Sequence, residues 1–211
     1  MEILIYIAIV VGVILISMTL HEAMHAFTSY WLGDDTAKLQ GRLTLNPIKH
    51  IDPFLTILLP LILAVLGGPI FGGAKPVPFN PDRVKGGEWG AALIAVAGPL
   101  TNLLLAFIGF GVWVIFGAPS SETLLGQILT IFFSVNLGFF LFNMLPIPPL
   151  DGSRVIYALA PEFVRTGMRF IEQYGLFFIL AIVLLAGSFI YGYIQGGADL
   201  IIGLFTSIFR L

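Results

Sequence analysis

The chain has 211 residues, 58% of them hydrophobic and only 10% charged, a balance that belongs to a polytopic membrane protein and leaves little for a separate water-soluble domain. A net charge of -2 offers no basic surface for nucleic acid, and the ten Lys and Arg residues fall in discrete loops. With no cysteine, disulfides, iron–sulfur clusters and thiolate ligands are excluded, so any metal must be held by His and carboxylate.

The first apolar run, Ile3 to about Trp31, predicts a helix long enough, at about 1.5 Å per residue, to cross a hydrocarbon core of roughly 30 Å. No Lys or Arg precedes it and no small-residue cleavage site follows, so it reads as a retained helix rather than a secretion signal. Near its end stands His21-Glu22-Ala23-Met24-His25. Residues four apart share a helix face, so the two imidazoles can converge on one metal. Glu22 lies on the flank of that face, badly placed as a ligand to the same ion but close enough to take a proton from a water. Paired histidines are often no more than a solvated face, but ionisable groups after so apolar a run are costly and usually functional. His21 lies about 15 Å inside the helix end.

Gly33 to Pro53 is polar, with Asp34, Asp35, Lys38, Arg42, Lys49, His50 and Asp52, and predicts an interfacial loop. Phe54 to Leu66 is apolar but short, interrupted by Pro60 and followed by Gly67-Gly68-Pro69 and Gly72-Gly73. Ala91 to Phe116 predicts a spanning helix despite Pro99 and Asn102, and Thr123 to Leu145 another, closed by Pro146. Ser153 to Ala160 and Pro161 to about Glu172 predict short surface helices with Arg154, Arg165 and Arg169 at the water face. Tyr174 to Tyr191 and Ile194 to Phe209 predict two further crossings about a turn at Gly192. The expectation is an all-α polytopic membrane protein of about five transmembrane helices, in one membrane-embedded domain over 1–211 with its core at 1–160 and accessory helices at 174–209.

Charge bias orients these elements. The loops at 32–53, 70–90 and 146–172 each hold three Lys or Arg and those at 117–123 and 192–193 none, which puts the three basic loops together in the cytoplasm. Residues 54–80 must then enter the membrane and return, as a re-entrant helix and β-loop packed against the site. Within it, Pro76 and Pro78 disable one edge of an extended strand, while Lys75, Val77 and Phe79 keep their N–H groups on the other. The same residues also suit a proline-stiffened loop.

Two histidines need a third protein ligand if a position is to stay open for water. His50, alone beside Asp52, reads as an interfacial side chain. Asp151 follows Asn143-Met144-Leu145-Pro146-Ile147-Pro148-Pro149-Leu150 at a helix end and returns to the side of His25, although a polar helix cap explains it as well. Asn102, about 17 Å into its helix, matches the depth of His21 and suits either an interhelical hydrogen bond or a substrate contact. Asn143 is the better placed to donate to a developing oxyanion.

The set His21-Glu22-x-x-His25, Gly98-Pro99-x-x-Asn102 and Asn143-x-x-Pro146-x-Pro148-x-Leu150-Asp151-Gly152 resembles the site-2 protease family of intramembrane zinc metalloproteases. Gly73-Ala74-Lys75-Pro76-Val77-Pro78 resembles the re-entrant β-loop of its compact microbial members. The resemblance covers about residues 10–160, and no PDZ-like insertion or nucleotide-sensing domain accompanies it. It implies one Zn2+ held by His21, His25 and Asp151, Glu22 as catalytic base and Asn143 near the scissile carbonyl. The implied activity is hydrolysis of a peptide bond within or next to a transmembrane segment of a substrate protein, in the cell membrane of a prokaryote with the site toward the cytoplasm. Asn102, Lys75, Val77 and Phe79 are the expected substrate contacts. The rival readings are a non-haem iron oxygenase, in which Glu22 has no role, and an ion or proton transporter, for which no inverted repeat is found.

Overall fold

The computed structural model describes residues 2–65 and 72–210. Helix α1 (Glu2–Trp31) is followed by the single turn α2 (Thr36–Leu39), then α3 (Leu59–Val65), α4 (Gly87–Ile115) and α5 (Leu124–Asn143). Two short helices, α6 (Gly152–Leu159) and α7 (Glu162–Gln173), lead into α8 (Gly175–Phe209). Among the described residues there is no strand, and four helices, α1, α4, α5 and α8, are long and apolar enough to cross a membrane. The chain is an all-α polytopic membrane protein.

The fifth crossing expected after Gly192 is instead part of α8, a 35-residue helix that runs through Gly192 and is kinked at Ala186. A lone glycine inside a helix costs only about 1 kcal/mol, and Gly192 has no proline or turn residue beside it to stop the helix. The one irregularity falls earlier, at Ala186 (φ -118°, ψ 19°), just before Gly187-Ser188, the small-residue pairing at which helices commonly kink.

The excursion after Pro53 closes on itself. Asp52 caps its first turn, accepting from the N–H groups of Phe54 and Leu55 at 2.9 Å each, and a π-helical stretch at Pro53–Leu58 runs into α3. Gly67, Gly68 and Pro69, which follow the apolar run, lie outside the described residues. By Gly73 the chain is back at its start: the Gly73 N–H donates to Leu55 O at 3.0 Å and the Thr56 hydroxyl to Gly73 O at 2.7 Å. The segment makes no net crossing between these points.

Residues 72–80 are extended but belong to no sheet. The N–H of Lys75 donates to His50 O at 2.9 Å and that of Val77 to Glu22 Oε2 at 3.2 Å. The edge expected to stay free is therefore turned inward, because buried N–H groups take partners, here a loop carbonyl and a carboxylate.

All three basic loops meet at one end of the bundle. Arg42 donates to Lys75 O, Arg83 pairs with Asp35 at 2.9 Å, and the Arg154 guanidinium lies 5.9 Å from the centre of the Phe79 ring. Asp34, with no solvent exposure, ties the first two of these loops to the end of α1. Its carboxylate accepts from Ser29 Oγ (3.0 Å), Thr36 N (3.1 Å) and Asn80 N (2.7 Å). Burial pushes this carboxyl up, and the donors from Thr36, Asn80 and Ser29 outweigh it and hold the group below the usual carboxylate range.

α4 is the central helix, packed against α1, α5, α6 and α8. Away from the basic end, Ala106, Phe110, Phe133, Leu137 and Phe205 form a buried core that joins α4, α5 and α8.

Candidate metal centre

α1 places His21 and His25 one turn apart, with ring centroids 4.6 Å apart and planes at 83°. Their Nε2 atoms lie 3.0 Å from one another. Asp151 Oδ2 lies 3.2 Å from Nε2 of His21 and 3.5 Å from that of His25. Both histidines are buried and Asp151 is partly exposed, so the site is open on the carboxylate side.

The outer nitrogens of both rings are held. His25 Nδ1 lies 2.7 Å from Ile94 O, a carbonyl that can only accept, so Nδ1 carries the proton. Ile94 sits in the turn of α4 loosened by Pro99, whose missing N–H leaves the Ala95 carbonyl without its helical donor. His21 Nδ1 lies 2.6 Å from Asn102 Oδ1. The Asn102 amide nitrogen donates to Asn136 Oδ1 at 2.8 Å, which fixes Oδ1 toward the histidine. Asn136 in turn donates to Ser17 Oγ at 2.9 Å. Both imidazoles thus present unprotonated Nε2 atoms to each other and to the Asp151 carboxylate. Such a set of acceptors, with no donor among them, is satisfied by a shared cation.

Gly98 makes room for this set. A Cβ there would lie 2.4 Å from His25 Nε2 and 2.7 Å from His21 Nε2. Gly152 does the same for Asp151, since a Cβ at 152 would strike Met144 O at 2.4 Å and hold α6 away from the end of α5. The Asp151 side chain makes no capping hydrogen bond to α6, so the helix-cap explanation does not apply and its oxygens face the histidines. His21, His25 and Asp151 are the described group whose ligand atoms all lie within 4.8 Å of one another. Two nitrogens and one carboxylate oxygen, with a side left open, fit the donor set of a catalytic zinc site.

The remaining predicted residues distribute unevenly. Glu22 stands beside the cluster with one oxygen on the Val77 N–H. Asn102 has no exposed surface and makes interhelical hydrogen bonds. Asn143 donates to Phe139 O of its own helix at 3.0 Å. Lys75 and Val77 offer their N–H groups inward, and Phe79 lies against Arg154. His50, expected at the interface, is fully buried among Arg42, Thr44 and the 72–80 segment. Asn136 and Ser17 were not anticipated, although Asn136 carries the same sign as Asn102, an amide inside an apolar span.

An HExxH motif on a membrane-length helix, closed by an aspartate at the start of the short helix α6, defines a membrane-embedded metalloprotease. The chain is 44% identical over 205 residues to "Putative zinc metalloprotease YwhC" of Bacillus subtilis, covering 93% of this chain and 90% of that one. It is 35% identical over 175 residues to "Putative zinc metalloprotease Rip2" of Mycolicibacterium smegmatis, covering 81% of this chain and 64% of the relative. A shorter match, 42% over 100 residues, covers 47% of this chain and half of "Putative zinc metalloprotease MJ0611" of Methanocaldococcus jannaschii. No family model and no solved structure matches. The chain belongs to the site-2 protease family and is a zinc metalloprotease, which replaces the oxygenase and transporter readings.

Proposed function

We propose that this metalloprotease hydrolyses a peptide bond within or next to a transmembrane segment of a substrate protein, in regulated intramembrane proteolysis. In this reading His21, His25 and Asp151 hold one zinc ion, Glu22 is the general base and Asn143 stands near the scissile carbonyl. The site faces the cytoplasm of a prokaryotic cell. What supports it is the burial of the two histidines within α1, a helix long and apolar enough to cross a membrane, level with amides of α4 and α5. The meeting of the three basic loops at the end nearer the site supports the cytoplasmic orientation.

Zinc bound there supplies Lewis acidity, lowering the pKa of a coordinated water and polarising a carbonyl. The chain's own groups do the rest. The Val77 N–H on Glu22 Oε2 holds the carboxylate in one orientation and leaves its second oxygen to accept a proton. Asn143 must release Phe139 O before its amide can donate to an oxyanion. A helical substrate hides its carbonyls in its own hydrogen bonds and must unwind. Since Lys75 and Val77 point their N–H groups into the protein, alternation turns the carbonyls of residues 74, 76 and 78 outward. The unwound substrate strand donates its N–H groups to that edge.

The test is cleavage of a single-span substrate by the purified protein in liposomes. Chelator-sensitive cutting within or beside the span, restored by zinc, is the expected result. Cutting confined to soluble peptides, with the membrane substrate intact, would overturn the reading. Single cysteines at Lys38, Lys85 and Arg165 should resist an impermeant thiol reagent in intact cells while one at Ser120 labels. Labelling of Lys85 alongside Ser120 would break the proposed orientation.

A further inference from the structure

Arg42 is the least expected side chain near the site. Only 3% exposed, it leaves Nε and Nη1 without a partner among the described residues, and burying a guanidinium is expensive unless its charge or shape is used. Its Nη2 donates to Lys75 O and lies 3.3 Å from Nδ1 of His50. His50 Nε2 donates to Thr44 O at 2.9 Å, which leaves Nδ1 as a lone-pair acceptor for the guanidinium. The His50 carbonyl meanwhile accepts the Lys75 N–H at 2.9 Å. Residues 42 and 50 thus grip both backbone polar groups of Lys75. Pro76, with its backbone φ fixed by the ring, carries that constraint to Val77, whose N–H meets Glu22 Oε2.

We propose that Arg42, braced by His50, is a positioning residue for Glu22: it seats the Lys75 carbonyl so that the Val77 N–H meets and orients the carboxylate. The proposal rests on the reading of Glu22 as general base. A neutral donor suffices to hold one loop carbonyl. The guanidinium adds a rigid plane spanning two acceptors and a positive charge within electrostatic reach of Glu22. Burial pushes the guanidinium down and the Glu22 carboxylate pushes it back up.

The test is a double-mutant cycle on the full chain, measuring zinc content and hydrolysis kinetics for Arg42→Gln, Val77→Pro and the pair. Each single change should lower kcat by about 10–100-fold with zinc content unchanged, and KM should stay within about twofold. The pair should be no worse than the more damaging single change, because both break one chain of contacts. His50→Leu should match Arg42→Gln. His50→Gln, which keeps a donor for Thr44 O and an acceptor for Arg42, should restore most of the rate, and this His50 comparison stands even where Arg42→Gln does not fold. Losses that multiply in the pair, a change in KM alone, or zinc loss in both Arg42→Gln and His50→Leu would overturn the proposal. A Glu22→Gln control that remained active would instead sink the general-base reading on which it rests.

Discussion

The two halves of α4 are built for different purposes. From Ala91 to Asn102 most of its buried residues are small or polar, Ala91, Ala92, Ala95, Gly98 and Asn102, with Ile94 and Pro99 the exceptions, and α1 comes close enough for His21 and His25 to touch its backbone and amide. From Ala106 onward it buries Phe110 and lays Phe107 and Trp113 against Phe133, Phe205 and Phe209. Lipid tails are as apolar as these side chains, so helices in a bilayer associate through close packing and hydrogen bonds rather than hydrophobic exclusion. The near half uses small residues to bring α1 close and so places the site's side chains. The far half uses interlocking rings to hold the bundle without dictating where any one atom lies. The difference teaches that chemistry and cohesion are separable along a single helix.

That separation can be broken by substitution. The largest effect is expected from Glu22→Gln, which fits the same space but cannot accept a proton. It should lower kcat by about 10²–10⁴-fold with zinc content unchanged, and metal loss in that variant would make Glu22 a ligand instead. Next come changes to the cradle. Gly98→Ala puts a methyl against both Nε2 atoms, and Asp151→Ala removes the carboxylate, so zinc content should collapse in both while His50→Ala and Asp52→Ala retain it. The reverse ranking would move the third ligand into the 50–52 loop.

A smaller loss sharpens the comparison within the near half. Asn136→Leu touches no proposed ligand but frees Asn102 to turn away from His21, and should weaken zinc binding by about 10–100-fold. Unaltered zinc affinity would reduce the Ser17-Asn136-Asn102 chain to an interhelical tie. The smallest effect belongs to the far half. Phe110→Leu should lower the thermal midpoint in detergent by a few degrees and leave zinc affinity and kcat where they were. A loss of zinc there would show the halves to be one unit.

The ligand helix and the depth of its partners were legible in the sequence because both follow from fixed helical rise. Counting along α1 and α4 put His21 and Asn102 at matching levels, and their side chains meet at 2.6 Å. Asp151 was legible as a candidate by residue type and the side to which the chain returned, while its freedom from capping depended on backbone geometry at Gly152. The break between the last two apolar stretches falls at Ala186 rather than Gly192 because glycine composition weakens a helix without specifying a turn, and α8 runs on through Gly192. The proline pattern revealed which N–H groups share an edge but not which way that edge faces. The orientation came from long-range partners, His50 O and Glu22, that no local pattern encodes. Arg42 and His50 were hidden for the same reason: a polar loop reads as solvated until the segment that covers it is in place.

The separation of His25 from Asp151 along the chain has a consequence for biogenesis. Two complete spanning helices, α4 and α5, are synthesised between them, and the small-residue face of α4 packs against the histidines of α1. During translation the nascent protein therefore carries its paired histidines long before it carries a complete site. Acquisition of the full three-residue set requires that α1, α4 and α5 have all been made, and a chain truncated before Asp151 lacks the carboxylate of the site.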